Sequence, residues 1–135
     1  MDVMRVEVVS NEYNIYSGEA SFVVVPTVQG ELGIYPRHEP IMSLVRPGAL
    51  RLQIPGEKEE VLVAVSGGVL EVQPDKLTVL ADVAIRSSEM DQARAEEAKK
   101  AAEARIAKAA DDEALAKAHS ALAAALAELK TLDYI

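Results

Sequence analysis

The residues able to do chemistry are few and scattered. The chain has two histidines, no cysteine and eight serines. His38 and His119 stand in opposite halves, and no H-E-x-x-H or H-x-H spacing occurs. Without clustered imidazoles or thiolates, no metal site is expected. The lack of cysteine also removes disulfides and a thiol nucleophile, which suits a reducing compartment. None of the serines stands in a G-x-S-x-G turn. Gly67-Gly68 leads into Val69-Leu70 rather than Lys-Ser or Lys-Thr, so it is no phosphate loop. It reads instead as a hairpin turn that needs positive φ. Gly30-Glu31-Leu32-Gly33 has no helix after it to bind an anion. Glu59-Glu60 and Glu96-Glu97 read as solvated faces. No catalytic residue is expected, and the chain is not expected to be an enzyme by itself.

Two polar constellations remain. Tyr35-Pro36-Arg37-His38-Glu39-Pro40 is a polar loop between prolines with one aromatic residue. It reads either as ordinary surface or as a contact surface. Asp91 and Arg94 stand three apart at the head of a helix, on one face. They read either as a surface ion pair worth a few tenths of a kcal/mol or as part of a small-ligand site. His119 reads as a surface residue beside a helical seam.

The elements that must position these residues fall into two halves. All seven glycines and all six prolines precede Arg86; none follows it. The expected domains are 1–86 and 87–135. Met4–Val8, Phe22–Val25, Leu50–Ile54, Val61–Val65, Val69–Val72 and Leu77–Leu80 are short β-rich runs punctuated by Pro, Gly and Asp turns. With no helix between them there is no room for βαβ crossovers, so an antiparallel sandwich or flattened barrel is expected. After Ser87, seventeen alanines between Ala93 and Ala127 favour helix. Ser88, with Asp91 three residues on, is the expected cap of the first helix, and Asp111 or Asp112 that of the second. Leu115, Ala118, Leu122, Ala125, Leu129 and Leu132 form a heptad-like seam. Each leucine would contribute about 1.5–3 kcal/mol if fully buried, and the alanines little. A two-helix hairpin so built is expected to be locally firm, loosely attached, and able to undock without melting.

Fourteen basic residues against 22 acidic ones give a net charge of −8 and a pI near 4.8. No basic face is available for nucleic acid, and the acidity disfavours anionic lipid. No apolar run reaches the ~18 residues needed to cross a bilayer. No membrane insertion is expected, nor an export signal.

The combination resembles the epsilon-subunit family of the bacterial F-type ATP synthase, over essentially the whole chain. The residues that carry the resemblance are Val8-Val9-Ser10, Gly30-Glu31-Leu32-Gly33-Ile34-Tyr35-Pro36-x-His38-x-Pro40, Arg46-Pro47-Gly48, Ser66-Gly67-Gly68-x-Leu70-Glu71-Val72, Val79-Leu80-Ala81-Asp82-x-Ala84 and Asp91-x-x-Arg94-Ala95. The resemblance implies about ten strands in a sandwich followed by a helical hairpin. It implies a non-catalytic place in the central rotor stalk, beside the gamma subunit and the c ring, at the cytoplasmic face of the inner membrane. There it couples proton flow to ATP synthesis. It also implies a hairpin that extends toward the alpha and beta catalytic subunits and restrains ATP hydrolysis. Glu31, Tyr35 and His38 are the implied c-ring contacts, and Asp91, Arg94 and Ala95 the implied nucleotide residues. Arg105 is the last arginine, and Ala124 and Glu128 stand where helix-two arginines would be expected. A triphosphate needs several cationic donors, so weak or absent ATP binding and no other cofactor are expected. With only Lys117 and Lys130 on helix two, restraint by charge pairing is not expected, and wedging by the leucine seam is the remaining route. The alternative reading is a stand-alone sandwich module that dimerises through Leu122 and Leu129.

Overall fold

A computed structural model describes residues 2–11 and 13–134. Ten strands come first: β1 Met4–Val9, β2 Asn14–Ala20, β3 Phe22–Thr27, β4 Gly30–Ile34, β5 Ile41–Val45, β6 Gly48–Gln53, β7 Val61–Val65, β8 Gly68–Val72, β9 Lys76–Ala81 and β10 Ala84–Arg86. Helices α1, Gln92–Lys108, and α2, Asp112–Leu132, follow. Hydrogen bonding runs β10-β7-β6-β3-β5-β8-β9-β1-β2, with β4 on the other side of β3. The ribbon folds at a single residue pair, Thr27 opposite Val45, giving two layers, β4-β3-β6-β7-β10 and β5-β8-β9-β1-β2.

Alternation along each strand sends one set of side chains between the layers. Met4, Val6 and Val8 from β1, Leu50 and Leu52 from β6, Val63 and Val65 from β7, and Leu77 and Val79 from β9 are essentially inaccessible there.

Three expectations change. One pair is parallel: β1 runs beside β9, Val6 opposite Leu77 and Val8 opposite Val79. The whole intervening sandwich serves as the crossover, so no helix is needed. Pro26 does not end its strand, because β3 continues through it to Thr27. Gly67 and Gly68 do adopt positive φ, 133° and 141°, but not in a hairpin. β7 and β8 belong to different layers, and the glycines carry the chain from one to the other. A Cβ on Gly68 would strike the carbonyl oxygen of Leu80.

The helices are capped from within. Asp91, not Ser88, caps α1: its Oδ1 accepts from the amides of Ala93 at 2.9 Å and Arg94 at 3.3 Å. Ser87–Glu89 is instead a single 3₁₀ turn with no buried residue. Asp111 caps α2 by accepting from the Ala114 amide at 2.7 Å. α1 packs on α2, and α2 alone lies along β6 and β7.

Candidate functional site

Each layer has an outer face, and the two are furnished differently. On β6 and β7 the outward residues are one small pair, Ala49 opposite Ala64, and one large pair, Arg51 opposite Leu62. Ala49, Leu62 and Ala64 are buried although they lie outside the inter-layer core. α2 covers them, and small side chains allow its backbone to come close.

The outer face of the other layer has no cover. Cross-strand register aligns Leu44 of β5, Val69 of β8 and Leu80 of β9 in one row. Leu44 and Leu80 are 60 % and 57 % exposed, and Met42, two residues along β5, is 70 % exposed. Val28, also exposed, extends the row through its amide bond to the Leu44 carbonyl. Ion pairs border the strip, Lys76 to Glu7 at 3.4 Å and Arg5 to Glu7 at 3.8 Å. A contiguous apolar strip with a charged border is the ordinary form of a protein-docking surface. The sequence reading did not name these residues. Their signal was that Ile41–Val45 and Leu77–Leu80 are apolar on both faces, while a solvated outer face calls for alternation.

Glu31, Tyr35 and His38 are not brought together. Glu31 sits at the turn end of β4, opposite Pro26. There it lines a cleft of ≈ 370 Å³ with Arg46, Pro47, Lys130 and Tyr134. Tyr35 follows the other end of β4, about 13 Å away along a five-residue strand. Its ring lies 4.4 Å from that of Phe22. Phe22 in turn packs over Gly33, where a Cβ would come within 2.8 Å of the ring. The Arg37 amide donates to the Pro74 carbonyl at 2.7 Å and fixes the loop against the β8–β9 turn. Arg37 itself is held at φ 67°, and its guanidinium is 3.3 Å from Asp2. His38 is half-buried, its Nδ1 2.7 Å from the Glu39 carbonyl. Through Pro40 and Ile41 this loop runs directly into the bare face.

In the hairpin, Asp91 and Arg94 are exposed and Ala95 is buried. The i,i+3 ion pair is not among the salt bridges of the described residues, because the Asp91 carboxylate is turned to the helix amides. Glu128 of α2 stands near both. Burial raises its pKa above the ordinary 4.5; Arg94 opposes that and Asp91 adds to it. The seam is also sealed differently from expectation. Leu115, Leu122, Leu129 and Leu132 are each only half-buried. Ala95 and Ala102 of α1, and Ala118, Ala125, Ala127 and Thr131 of α2, are the inaccessible residues. Ala95 and Ala102, and likewise Ala118 and Ala125, are seven apart, and the four lie symmetrically about Ala110 in the sequence, the spacing at which an antiparallel pair sets Ala95 near Ala125 and Ala102 near Ala118. Close helix approach over alanine, rather than leucine interlock, joins the pair. Among the described residues there is no cluster of metal-ligating groups.

Comparison with known proteins decides the family. Residues 3–87 match the beta-sandwich domain of the ATP synthase Delta/Epsilon chain, and residues 88–133 match its long alpha-helix domain. The chain belongs to the ATP synthase delta/epsilon family. It is 84 % identical to the ATP synthase epsilon chain of Neisseria meningitidis serogroup C / serotype 2a, over all of this chain and 96 % of that one. It is 62 % identical, with the same coverage, to the epsilon chain of Chromobacterium violaceum. Among solved structures, a chain of the Euglena gracilis mitochondrial ATP synthase, OSCP/F1/c-ring in rotational state 1, superposes with TM-score 0.76 at 20 % identity, over 96 % of this chain and 81 % of that one. At that identity the likeness speaks for the fold, and it spans both sandwich and hairpin.

Proposed function

We propose that the chain is a mechanical, non-catalytic subunit of the rotor stalk of a proton-translocating ATP synthase. It docks on the gamma subunit through the bare outer face. The observation that carries this reading is the apolar row Val28–Leu44–Val69–Leu80, in which Val28, Leu44 and Leu80 are exposed, with Met42 extending it along β5 toward the Tyr35–Pro40 loop. Glu31, at the other end of β4, is assigned to the c ring. Tyr35 packs on Phe22 of the other layer and His38 lies in the loop that enters β5; both are kept as candidates for the ring contact. The subunit is peripheral at the cytoplasmic face of the inner membrane, held by these partners; no helix among the described residues is long and apolar enough to cross a membrane. The dimerising-module alternative finds no support in the family assignment, and α2 is already engaged by α1, β6 and β7.

Size-exclusion chromatography with light scattering tests the reading on a mixture with the gamma subunit of the same organism. A one-to-one complex is expected; a self-dimer with no complex would overturn it. We also infer restraint of ATP hydrolysis by the hairpin, reaching the alpha and beta subunits. Removing 87–135 should then raise the ATPase activity of the assembled complex, and unchanged activity would reject restraint. Isolated, the chain should bind ATP weakly or not at all. Beside Asp91, Arg94 and Ala95 the hairpin offers Glu128, an anion where a triphosphate would need cations. Sub-micromolar affinity by calorimetry would refute this.

A further inference from the structure

The last turn of α2 ends over an isolated charge. Arg51 occupies the outer face of β6 in a cross-strand row with Val24 and Leu62, both nearly inaccessible. Its Nε is buried and has no hydrogen-bond partner among the described residues. The Tyr134 ring, itself 47 % exposed, lies over the guanidinium of half-buried Arg51, its centroid 4.8 Å from Cζ. An unmatched buried donor shifts an equilibrium against the buried state by roughly five- to hundredfold. A ring face over the cation returns roughly two- to thirtyfold. The rest of the seat of α2 on this layer is Ala49, Leu62 and Ala64, of which only the leucine offers a large apolar side chain. The hairpin, by contrast, is self-contained: both helix caps and the four-alanine seam lie within it. Its root is the single 3₁₀ turn Ser87–Glu89, with no buried residue.

We propose that Tyr134 and Arg51 form a catch that fastens the hairpin to the sandwich, so that losing the ring releases α2 from β6 and β7 while α1 and α2 stay paired. The catch lies just past the last turn of α2, the helix that seats on β6 and β7. Arg51 gives the docked state a built-in cost that the seated ring helps to offset, and the balance is therefore close.

The chain has no cysteine, so one engineered thiol reports lifting of the hairpin through its labelling rate. Ala64→Cys places the thiol under α2, and Ala20→Cys places a control in the inter-layer core. In the full chain, Tyr134→Ala should speed labelling at position 64 about tenfold and leave position 20 and the helical circular dichroism unchanged. Tyr134→Trp should keep labelling slow. In an Arg51→Met background, where no cation needs covering, Tyr134→Ala should change the rate less than about twofold. Unchanged labelling at 64 would overturn the catch. So would equal acceleration at both positions, loss of helicity, or the same acceleration with Arg51→Met present. None of these readouts depends on binding to the gamma subunit, so the catch and the rotor assignment fail or stand separately.

Discussion

The two outer faces of the sandwich come from the same alternation of side chains and have opposite fates. On β6 and β7 the outward positions hold Ala49 and Ala64, and a helix of the same chain lies against them. On β5 and β9 they hold Met42, Leu44 and Leu80, long apolar side chains standing in solvent. Small residues admit a backbone and suit a helix that must fit closely. Long residues project and suit pockets on another molecule, where a few anchors carry most of the affinity. The pair Ala49 and Ala64 against Leu44 and Leu80 marks the difference between the face the chain keeps for itself and the face it offers.

That contrast can be broken experimentally. The largest effect is expected on the bare face: Leu80→Asp should weaken binding to the gamma subunit at least about a hundredfold. Its thermal midpoint should barely move, because Leu80 is mostly exposed. Titration calorimetry beside a melting curve checks both halves of that statement. On the covered face, Ala64→Leu should cost about 1–3 kcal/mol by overpacking under α2 and leave gamma binding intact. A denaturant midpoint that does not shift would mean α2 does not rest there. Away from both faces, Arg37→Gly should stabilise the chain by about 1 kcal/mol, because Arg37 is held in the left-handed region. A loss of stability in urea would show that its pairing with Asp2 outweighs the backbone strain.

The smallest effect is that of Glu128. Because burial raises its pKa in the folded chain above 4.5, the folded state holds this proton more tightly than the unfolded state. The associated stability is present below the ordinary value and is lost as pH rises through the raised one. Glu128→Gln should remove that loss. Urea midpoints should show the variant gaining on the parent between pH 4 and pH 7, and a constant difference would contradict it.

The legible parts of the fold were those with a period. β1, β6, β7, β8 and β9 show as runs between turn residues, and α1 and α2 as an alanine field split at Asp111. β2 and β4 were not read from the residues, since Asn14–Ala20 and Gly30–Ile34 mix glycine and polar groups with few apolar ones. β5, apolar on both faces, has no alternation to read. The family resemblance supplied the count of strands that the pattern could not. Polar candidates were located, but their neighbours were not: Glu31 and His38 are seven apart in sequence and at opposite ends of a strand. The Arg51–Tyr134 pair joins the middle of the chain to its end, a distance along which no local pattern reaches.

The parallel pairing of β1 with β9 also has a consequence for synthesis. The first strand made finds one neighbour at once in β2, but its other edge stays open until Lys76–Ala81 has left the ribosome. The sandwich therefore cannot close progressively from its N-terminus. For most of its translation the nascent chain carries an unpaired, Val-rich edge, the kind of edge that invites pairing with other chains. Its folding should be slow for its size, since so sequence-distant a contact has to form before the sandwich closes.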